Sequence, residues 1–270
     1  MPESIWRHVA QDSPGFQVAK RGIIPNFSNI LPPHLSVIIP CLNETERLRR
    51  LLERFRSFTN SAELIIADAS HRDLRRINAL AARQLRARHL SLPRAGRGFQ
   101  MREGAAVASG DILLFQHIDV DFRAAHFTSL LRAFEEDKDL VGGGFHKALD
   151  RHYPEMSWAK PFVTFWEQQI GVLYGDQSVF VRRSHYDRIG GIQDMPLMED
   201  MEFSNRLRAS GKVRLLEPPL FASMRRFRED GVLKRKLLNW LTIQLYRAGA
   251  SPDWLYRFYY RRPPNSPSEA

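Results

Sequence analysis

The sequence has a single cysteine, Cys41. An intramolecular disulfide is therefore excluded, and so is a cysteine-based zinc site. A reducing compartment fits this usage. No stretch reaches the roughly 18 consecutive apolar residues of a membrane-spanning helix. The opening stretch, MPESIWRHVAQDSPGF, lacks a basic start followed by an apolar core. No signal peptide is expected, and the cytosol is the expected compartment. Phosphate-cradling glycine motifs are missing as well. Gly96, Gly98 and Gly104 do not have the dinucleotide-binding spacing, Gly142–Gly144 follow no strand-to-helix turn, and there is no P-loop. A nicotinamide enzyme and an ATPase are disfavoured accordingly. No two histidines stand at metal-ligand spacing on one helix, and there is no internal repeat. Acidic residues are the minority charge: 30 Asp+Glu against 40 Lys+Arg leaves a formal +10. That balance suits nucleic acid, an anionic membrane face or a phosphorylated small molecule, and charge alone does not choose. Arginine outnumbers lysine, which favours planar, bidentate recognition of phosphate and carboxylate.

With 270 residues and 43% hydrophobic content, the chain can form one large domain with appendages. Residues 1–34 read as a tail, broken by Pro2, Pro14, Pro25, Pro32 and Pro33. From Leu35 onward, β-branched apolar runs alternate with helical patterns. LSVIIP is a strand, and Asn43 and Glu44 open a helix with Leu48, Leu51, Leu52 and Phe55 on one face. LIIA is the second strand, followed by a helix from about Asp73 to Arg88. RHLSLP is a third strand, residues 98–108 a helix, and DILLF a fourth strand. This alternation predicts an α/β fold with a parallel, Rossmann-like core. The second half is less regular. It carries a helix from Asp121 to Phe134, a glycine-bearing strand LVGGGFHKAL, a strand at Ser178–Val181, a helix from Glu199 to Ser210 closed by Gly211, and a short strand VRLL. Residues 231–262 form an amphipathic helical extension with Leu233, Leu237, Trp240, Leu241 and Leu245 on one face. Residues 263–270 read as disordered.

In a parallel sheet with right-handed crossovers, the loops after the strands share one edge, where ligands bind. Those loops hold Pro40-Asn43-Glu44, Asp68-Ser70, Arg94-Arg97 and His117-Asp119-Asp121. On a continuing strand His117, Asp119 and Asp121 would share one face. A metal site and a solvated turn are both open readings of that cluster. Asp121 is expected to cap the next helix.

Taken in order, these pieces resemble glycosyltransferase family 2, the inverting GT-A sugar transferases, over roughly residues 35–228. LSVIIPCLNE resembles the family's opening strand and turn. LIIADASHRD resembles its second strand, with Asp68 and Asp73 in the Asp-x4-Asp positions. SGDILLFQHIDVDF resembles the strand into the metal-binding Asp-x-Asp, and Gly190-Gly191 followed by Glu199-Asp200 resembles the acceptor-side signature. GDQSVFVRRS, MPLMED and DGVLKRKLLNWL resemble a compact bacterial subgroup. Two positions depart from the broad pattern: histidine stands at 117, as is usual in the subgroup, and Ala69-Ser70-His71-Arg72 replaces a glycine- and serine-rich turn.

The resemblance implies a divalent cation, Mn2+ or Mg2+, held by Asp119, with His117 either completing the shell or hydrogen-bonding a phosphate. It implies Asp200 as general base and Glu199 as a positioning group. Helix-dipole preference for an acidic first turn is the plain alternative for both. Asp68 would accept from the donor's base, or simply cap a helix. Pro40, Asn43 and Glu44 would wall the nucleotide, and Arg97 would meet the diphosphate or remain a solvated loop charge. Asp176 and Gln177 fall on the acceptor side. Arg225 and Arg226 are candidates for a diphosphate contact.

The expected activity is transfer of a hexose from a nucleotide diphosphate sugar, a UDP-sugar foremost, to a hydroxyl acceptor that could be lipid-linked. The rivals are a nucleotidyltransferase, disfavoured because PCLNETERL lacks a glycine- and lysine-rich loop, and a non-enzymatic basic module for RNA or membrane surfaces. No nucleic-acid partner is expected. The basic, leucine- and tryptophan-bearing extension is compatible both with packing on the domain and with an anionic membrane surface at the inner face.

Overall fold

The computed structural model describes residues 34–56, 61–148, 173, 175–221 and 232–261. The expected N-terminal tail before His34 and the last residues, 262–270, lie outside the described residues.

Seven strands make one sheet: β1 (Leu35–Cys41), β2 (Ala62–Asp68), β3 (Arg88–Ser91), β4 (Ile112–Phe115), β5 (Leu140–Ala148), β6 (Phe180–Arg182) and β7 (Lys212–Phe221). Their order is β3-β2-β1-β4-β6-β5-β7. β3, β2, β1 and β4 are mutually parallel, whereas β6 runs antiparallel to both β4 and β5. β7 is parallel to β5. The helices are α1 (Thr45–Phe55), α2 (Arg72–Gln84), α3 (Arg97–Val107), α4 (Ala124–Glu136), α5 (Arg183–Arg188), α6 (Glu199–Ser210), α7 (Val232–Arg247) and α8 (Pro252–Tyr260).

Both faces of the sheet are covered, and the period-2 alternation of strand side chains decides which residue meets which layer. Val37 and Ile39 of β1, with Ile112 and Leu114 of β4, join Leu48, Leu51, Leu52 and Phe55 of α1 in one core. Ile38, Leu113 and Phe115 point the other way, to Met101 and Ala105 of α3 and to Phe203 and Leu207 of α6. The stripe expected on α1 is thus the buried one.

Several boundaries differ from expectation for local reasons. α2 ends at Gln84 rather than near Arg88, because Arg86 takes a left-handed backbone (φ 53°) that turns the chain into β3. α4 starts at Ala124, with Arg123 as its N-cap. The Arg123 amide donates to His126 Nδ1 (2.9 Å), closing a reciprocal cap. Asp121 is therefore not the cap. It pairs with Arg54 (2.9 Å) and Arg123 instead. β7 is longer than VRLL suggested, because β5 offers a parallel partner along Leu140–Ala148.

The C-terminal extension holds two helices, α7 and α8. Ala250 N–H donates to Leu245 C=O and Gly249 N–H to Tyr246 C=O (both 3.0 Å), a Schellman ending with Gly249 at φ 92°. Ser251 then caps α8, with Pro252 in its first turn. The expected apolar stripe of α7 is split. Leu245 packs inward with Ile243 and Tyr246, while Leu237, Trp240 and Leu241 face solvent. The side chain of Leu233 lies outside the described set. Among the described residues no helix is long and apolar enough to cross a membrane.

The glycines of β5 mark close backbone approach, as their place in a strand predicted. A Cβ at Gly142 would stand 2.5 Å from Phe180 O, and one at Gly143 would overlap Arg214 O and stand 2.8 Å from Phe180 Cζ. Neither neighbour can retreat, since one is sheet backbone and Phe180 is fully buried. Gly143→Ala is expected to cost at least about 2 kcal/mol through overpacking. Urea unfolding of the variant measures it; a midpoint equal to wild type would contradict this packing.

Candidate active site

The carboxyl ends of β1 and β2 are fastened together by buried polar groups. Gln100, on α3 and 3% exposed, donates through Nε2 to Cys41 O and to Ala67 O, both at 2.8 Å. Asn43 follows β1 with a left-handed backbone (φ 56°), a conformation asparagine tolerates better than most residues. Its N–H donates to Ser70 Oγ (2.8 Å), and its Oδ1 accepts from His71 N–H (3.0 Å). The loop after β1 and the loop after β2 are thereby one unit. Pro40 is half-buried in β1 opposite Ala67, and Glu44 opens α1 with its carboxylate on Arg47 (2.5 Å).

Asp68 ends β2 with no exposed surface. Its Oδ1 accepts from Ser70 N–H (2.8 Å), and its Oδ2 accepts from Asn78 Nδ2 (2.8 Å) and stands 2.9 Å from His89 Nε2. Burial pushes the Asp68 carboxyl up, but the hydrogen bonds from His89, Ser70 and Asn78 together prevail and lower it. It does not cap α2, whose N-cap is His71. In this arrangement neither oxygen is presented to a base, so Asp68 holds the loop's shape from behind. Cys41 beside it is inert, its thiol pushed up to about 12 by burial and by the Asp68 charge.

The second group of residues gathers where β4 ends. His117, Asp119 and Asp121 do not continue the strand, so the shared-face expectation fails. The chain leaves the sheet after Phe115, and fully buried Gln116 curls it by donating to His117 O (2.8 Å) and Val120 O (3.3 Å). Ser178 Oγ in turn donates to Gln116 Oε1 (2.8 Å). The turn leaves Asp119 exposed and directs His117 inward. His117 Nε2 is buried with no hydrogen-bond partner among the described residues. Burial first, then the Arg97 charge, lowers its imidazole to about 4 against the pull of Asp119, Asp176 and Asp200. The neutral ring keeps a lone pair available.

Gly175 separates His117 from Asp200. A Cβ there would stand 2.7 Å from His117 Nε2 and 3.6 Å from Asp200 Oδ2, so only glycine fits. Its N–H donates to Asp200 Oδ2 (3.0 Å), and Asp200 Oδ1 accepts from Met201 N–H (2.8 Å). Next to Gly175, Asp176 pairs with Lys147 (2.6 Å), and buried Gln177 donates to Phe145 O (3.1 Å). Glu199 and Asp200 begin α6, preceded by Met198 in a left-handed backbone (φ 70°). Arg97, at the start of α3, donates through Nε to Glu199 Oε1 and lies 3.7 Å from Asp200 Oδ2. Burial opposes the Arg97 charge, but Glu199 and Asp200 outweigh it and hold the guanidinium firmly ionised. Burial likewise pushes the Glu199 carboxyl up, with Arg97 opposing. The turn before α6 has Gly190 and Gly191 at φ 78° and 65°, and Arg206 grips the carbonyls of Ile189 and Gly191, the latter at 2.7 Å. Arg225 and Arg226 lie outside the described residues.

The structure thus brings Arg97, His117, Asp176, Glu199 and Asp200 together, with Asp119 at the rim. Gln100 and Gln116 escaped the sequence reading, and Gly175 entered it only as the first residue of GDQSVFVRRS. The only local sign of the glutamines is a polar residue inside or directly after an apolar element.

Residues 36–187 match the family model for glycosyl transferase family 2. The chain belongs to glycosyl transferase family 2. Solved structures agree on the fold. The mannosyltransferase PcManGT from Pyrobaculum calidifontis, in complex with GDP-Man and Mn2+, superposes with a TM-score of 0.61 at 15% identity, over 84% of this chain and 69% of that one. Glucosyl-3-phosphoglycerate synthase from Mycobacterium tuberculosis, with Mn2+, UDP and its product, gives 0.54 at 20% identity over 80% of each chain. TarS 1–349 of S. aureus gives 0.56 at 15%, over 84% and 70%. No curated protein sequence matches. The family 2 chain is a glycosyltransferase with the GT-A fold: a mostly parallel sheet with one reversed strand, β6, and the acidic α6 start behind it.

In this family 2 enzyme the Arg97–Glu199 pair has one partner buried and one about 41% exposed. Arg97→Ala would leave a buried carboxylate unpaired. The expected loss is about 2 kcal/mol, below the range for fully buried pairs because the guanidinium is partly solvated. Arg97→Ala combined with Glu199→Gln should regain most of it. Chemical unfolding of the single and double variants tests this, and an equally unstable double variant would mean the pair is not the cause.

Proposed function

We propose that the protein transfers a hexose from a UDP-sugar to a hydroxyl acceptor, lipid-linked and reached at a membrane surface, with inversion at the anomeric carbon. The carrying observation is the cluster around Gly175: the Asp200 carboxylate and the unpartnered His117 Nε2 flank one glycine, with Arg97 beside them. Nucleotide diphosphates and Mn2+ in two structural relatives support the donor class.

The residues fit a divalent cation. Among the described residues no three His, Cys, Asp or Glu side chains form a complete cage. A cation that takes diphosphate and water oxygens needs only one or two protein ligands, and Asp119 with neutral His117 would hold it. When bound, such a cation offsets charge growing on the leaving diphosphate. Pro40, Asn43 and Glu44 wall the nucleotide, with Asp68 fixing their loop. Arg97 offers its guanidinium edge to the diphosphate while remaining anchored to Glu199.

Asp200 acts as general base. Its Oδ2 accepts one backbone hydrogen bond and retains a lone pair for the acceptor proton. The acceptor oxygen then bonds to the anomeric carbon as the carbon–oxygen bond to the diphosphate breaks, and the electron pair leaves on the diphosphate. Asp176 and Gln177 line the acceptor side.

Asp119→Asn is expected to remove most turnover with the circular dichroism spectrum unchanged, whereas Asp121→Asn, whose carboxylate serves Arg54 and Arg123, should cost far less. If Asp121→Asn is the inactive one, the ligand assignment is wrong. Asp200→Asn should bind UDP with Mn2+ normally in calorimetry yet turn over at least about 100-fold more slowly, the lower range for loss of a general base. Equal loss of binding and rate would make Asp200 a helix-start residue only. Thermal-shift comparison of UDP- and GDP-sugars tests the nucleotide; stabilisation by GDP alone would overturn the UDP assignment.

A further inference from the structure

The α7–α8 pair has two faces. Inward, Leu255 is fully buried and packs with Ile243, Leu245 and Tyr246 against Met198 and Met201, the residues on either side of Glu199-Asp200. Tyr259 Oη donates to Asn239 Oδ1 (2.7 Å), tying α8 to α7. Outward, Leu237 is 60% exposed, Trp240 52%, Leu241 37% and Trp254 49%. The other exposed large hydrophobics of the described residues are Ile77 and Leu80 on α2 and Phe221 at the end of β7. The two helices therefore carry four of the seven exposed large hydrophobics among the described residues.

Its charge is predominantly positive. Arg247 continues the Leu237–Trp240–Leu241 stripe at helical spacing, Arg257 follows Trp254 by three residues on α8, and Arg261 ends that helix. All three are exposed, and Asp253 is the single acid on the two helices. Lys234, Arg235 and Lys236 add basic sequence at the start of α7. Trp254 stacks on Phe258 with centroids 5.3 Å apart, which stiffens the aromatic patch. A second copy of this face would bring arginines against arginines. Leucine and tryptophan ringed by arginine instead match a lipid surface with anionic headgroups, where aromatic rings sit at headgroup depth and arginines meet phosphate.

We propose that the α7–α8 pair is the element that docks this protein on an anionic lipid bilayer, through Trp240, Leu241 and Trp254 flanked by Arg247, Arg257 and Arg261. This rests on the transfer reading above for one consequence. Met198 and Met201, which pack in the cluster of Leu255, flank Glu199 and the proposed base, so a docked α7–α8 pair ties the bilayer to the helix start that carries the base. The acceptor class is then a hydroxyl carried on a membrane-bound molecule.

The test is co-sedimentation of the full chain with vesicles of phosphatidylcholine alone and of phosphatidylcholine mixed with phosphatidylglycerol. Binding is expected only to the anionic vesicles, with release by salt. Trp240→Ser/Trp254→Ser should lower partitioning by about tenfold or more, since two interfacial anchors are lost. Arg257→Gln/Arg261→Gln should lower it about fivefold per arginine removed, at constant salt. Both variants change exposed side chains and should keep the wild-type spectrum and UDP–Mn2+ stabilisation. Absence of binding to anionic vesicles, or unchanged binding by both variants, overturns the docking proposal. So does a dimer in analytical ultracentrifugation that Trp240→Ser/Trp254→Ser abolishes, because the face would then belong to a second copy. Lack of UDP stabilisation in the wild type, with vesicle binding intact, would instead remove the transfer reading and leave the docking surface standing.

Discussion

The contact between Arg97 and Glu199 joins residues 102 apart in sequence. One begins the helix after β3, in the parallel half; the other begins the helix that precedes β7, in the half with the reversed strand. A carboxylate as buried as Glu199 persists only with a charge partner, so the two helix starts must stay in register. Gly98 makes the approach possible, since a Cβ there would stand 2.5 Å from Gln193 O and 3.3 Å from Glu199 Cβ. Asp200 is carried to its place by that same helix start, so its position depends on the Arg97–Glu199 pair, to which it adds only a longer contact with Arg97 (3.7 Å).

Backbone strain is concentrated around this junction. Five described non-glycine residues have positive φ, and three of them, Asn43, Ser178 and Met198, lie in the loops that build the site. Each is held by neighbours. Asn43 is bonded through its backbone and its side chain, Ser178 donates to Gln116, and Met198 packs with Met201 and Leu255. Such conformations persist when the surroundings over-determine them, and they favour a preorganised site over an adaptable one.

The reversed strand has a consequence for chemistry. Strands β3, β2, β1 and β4 bring four loops to one edge, as in any parallel α/β sheet. Because β6 runs the other way, the segment leading into it, Gly175–Ser178, reaches that same edge. The loop after β4 and the segment entering β6 thus meet at His117, whose Nε2 faces Gly175. The C-terminal helices complete the arrangement by backing the start of α6 with one face while exposing the other.

Much of this was legible in the linear sequence. The alternation of β-branched runs with helical stripes determined the α/β class. The span from Glu199 to Ser210 before Gly211 determined α6 to the residue, and the glycines of β5 announced close backbone approach. These are local signals, set by side-chain period, capping and backbone freedom within a few residues. The tertiary structure alone decided that Asp68 is buried under Ser70, Asn78 and His89, that Gln116 bends the chain so His117 points inward while Asp119 stays at the rim, and that α7 buries Leu245 but leaves Trp240 exposed. In each case the local pattern says that a side chain is polar or apolar. Which way it turns also depends on partners distant in sequence, Asn78, 10 residues away, for Asp68 and Ser178, 62 residues away, for Gln116, whose arrival no periodicity encodes.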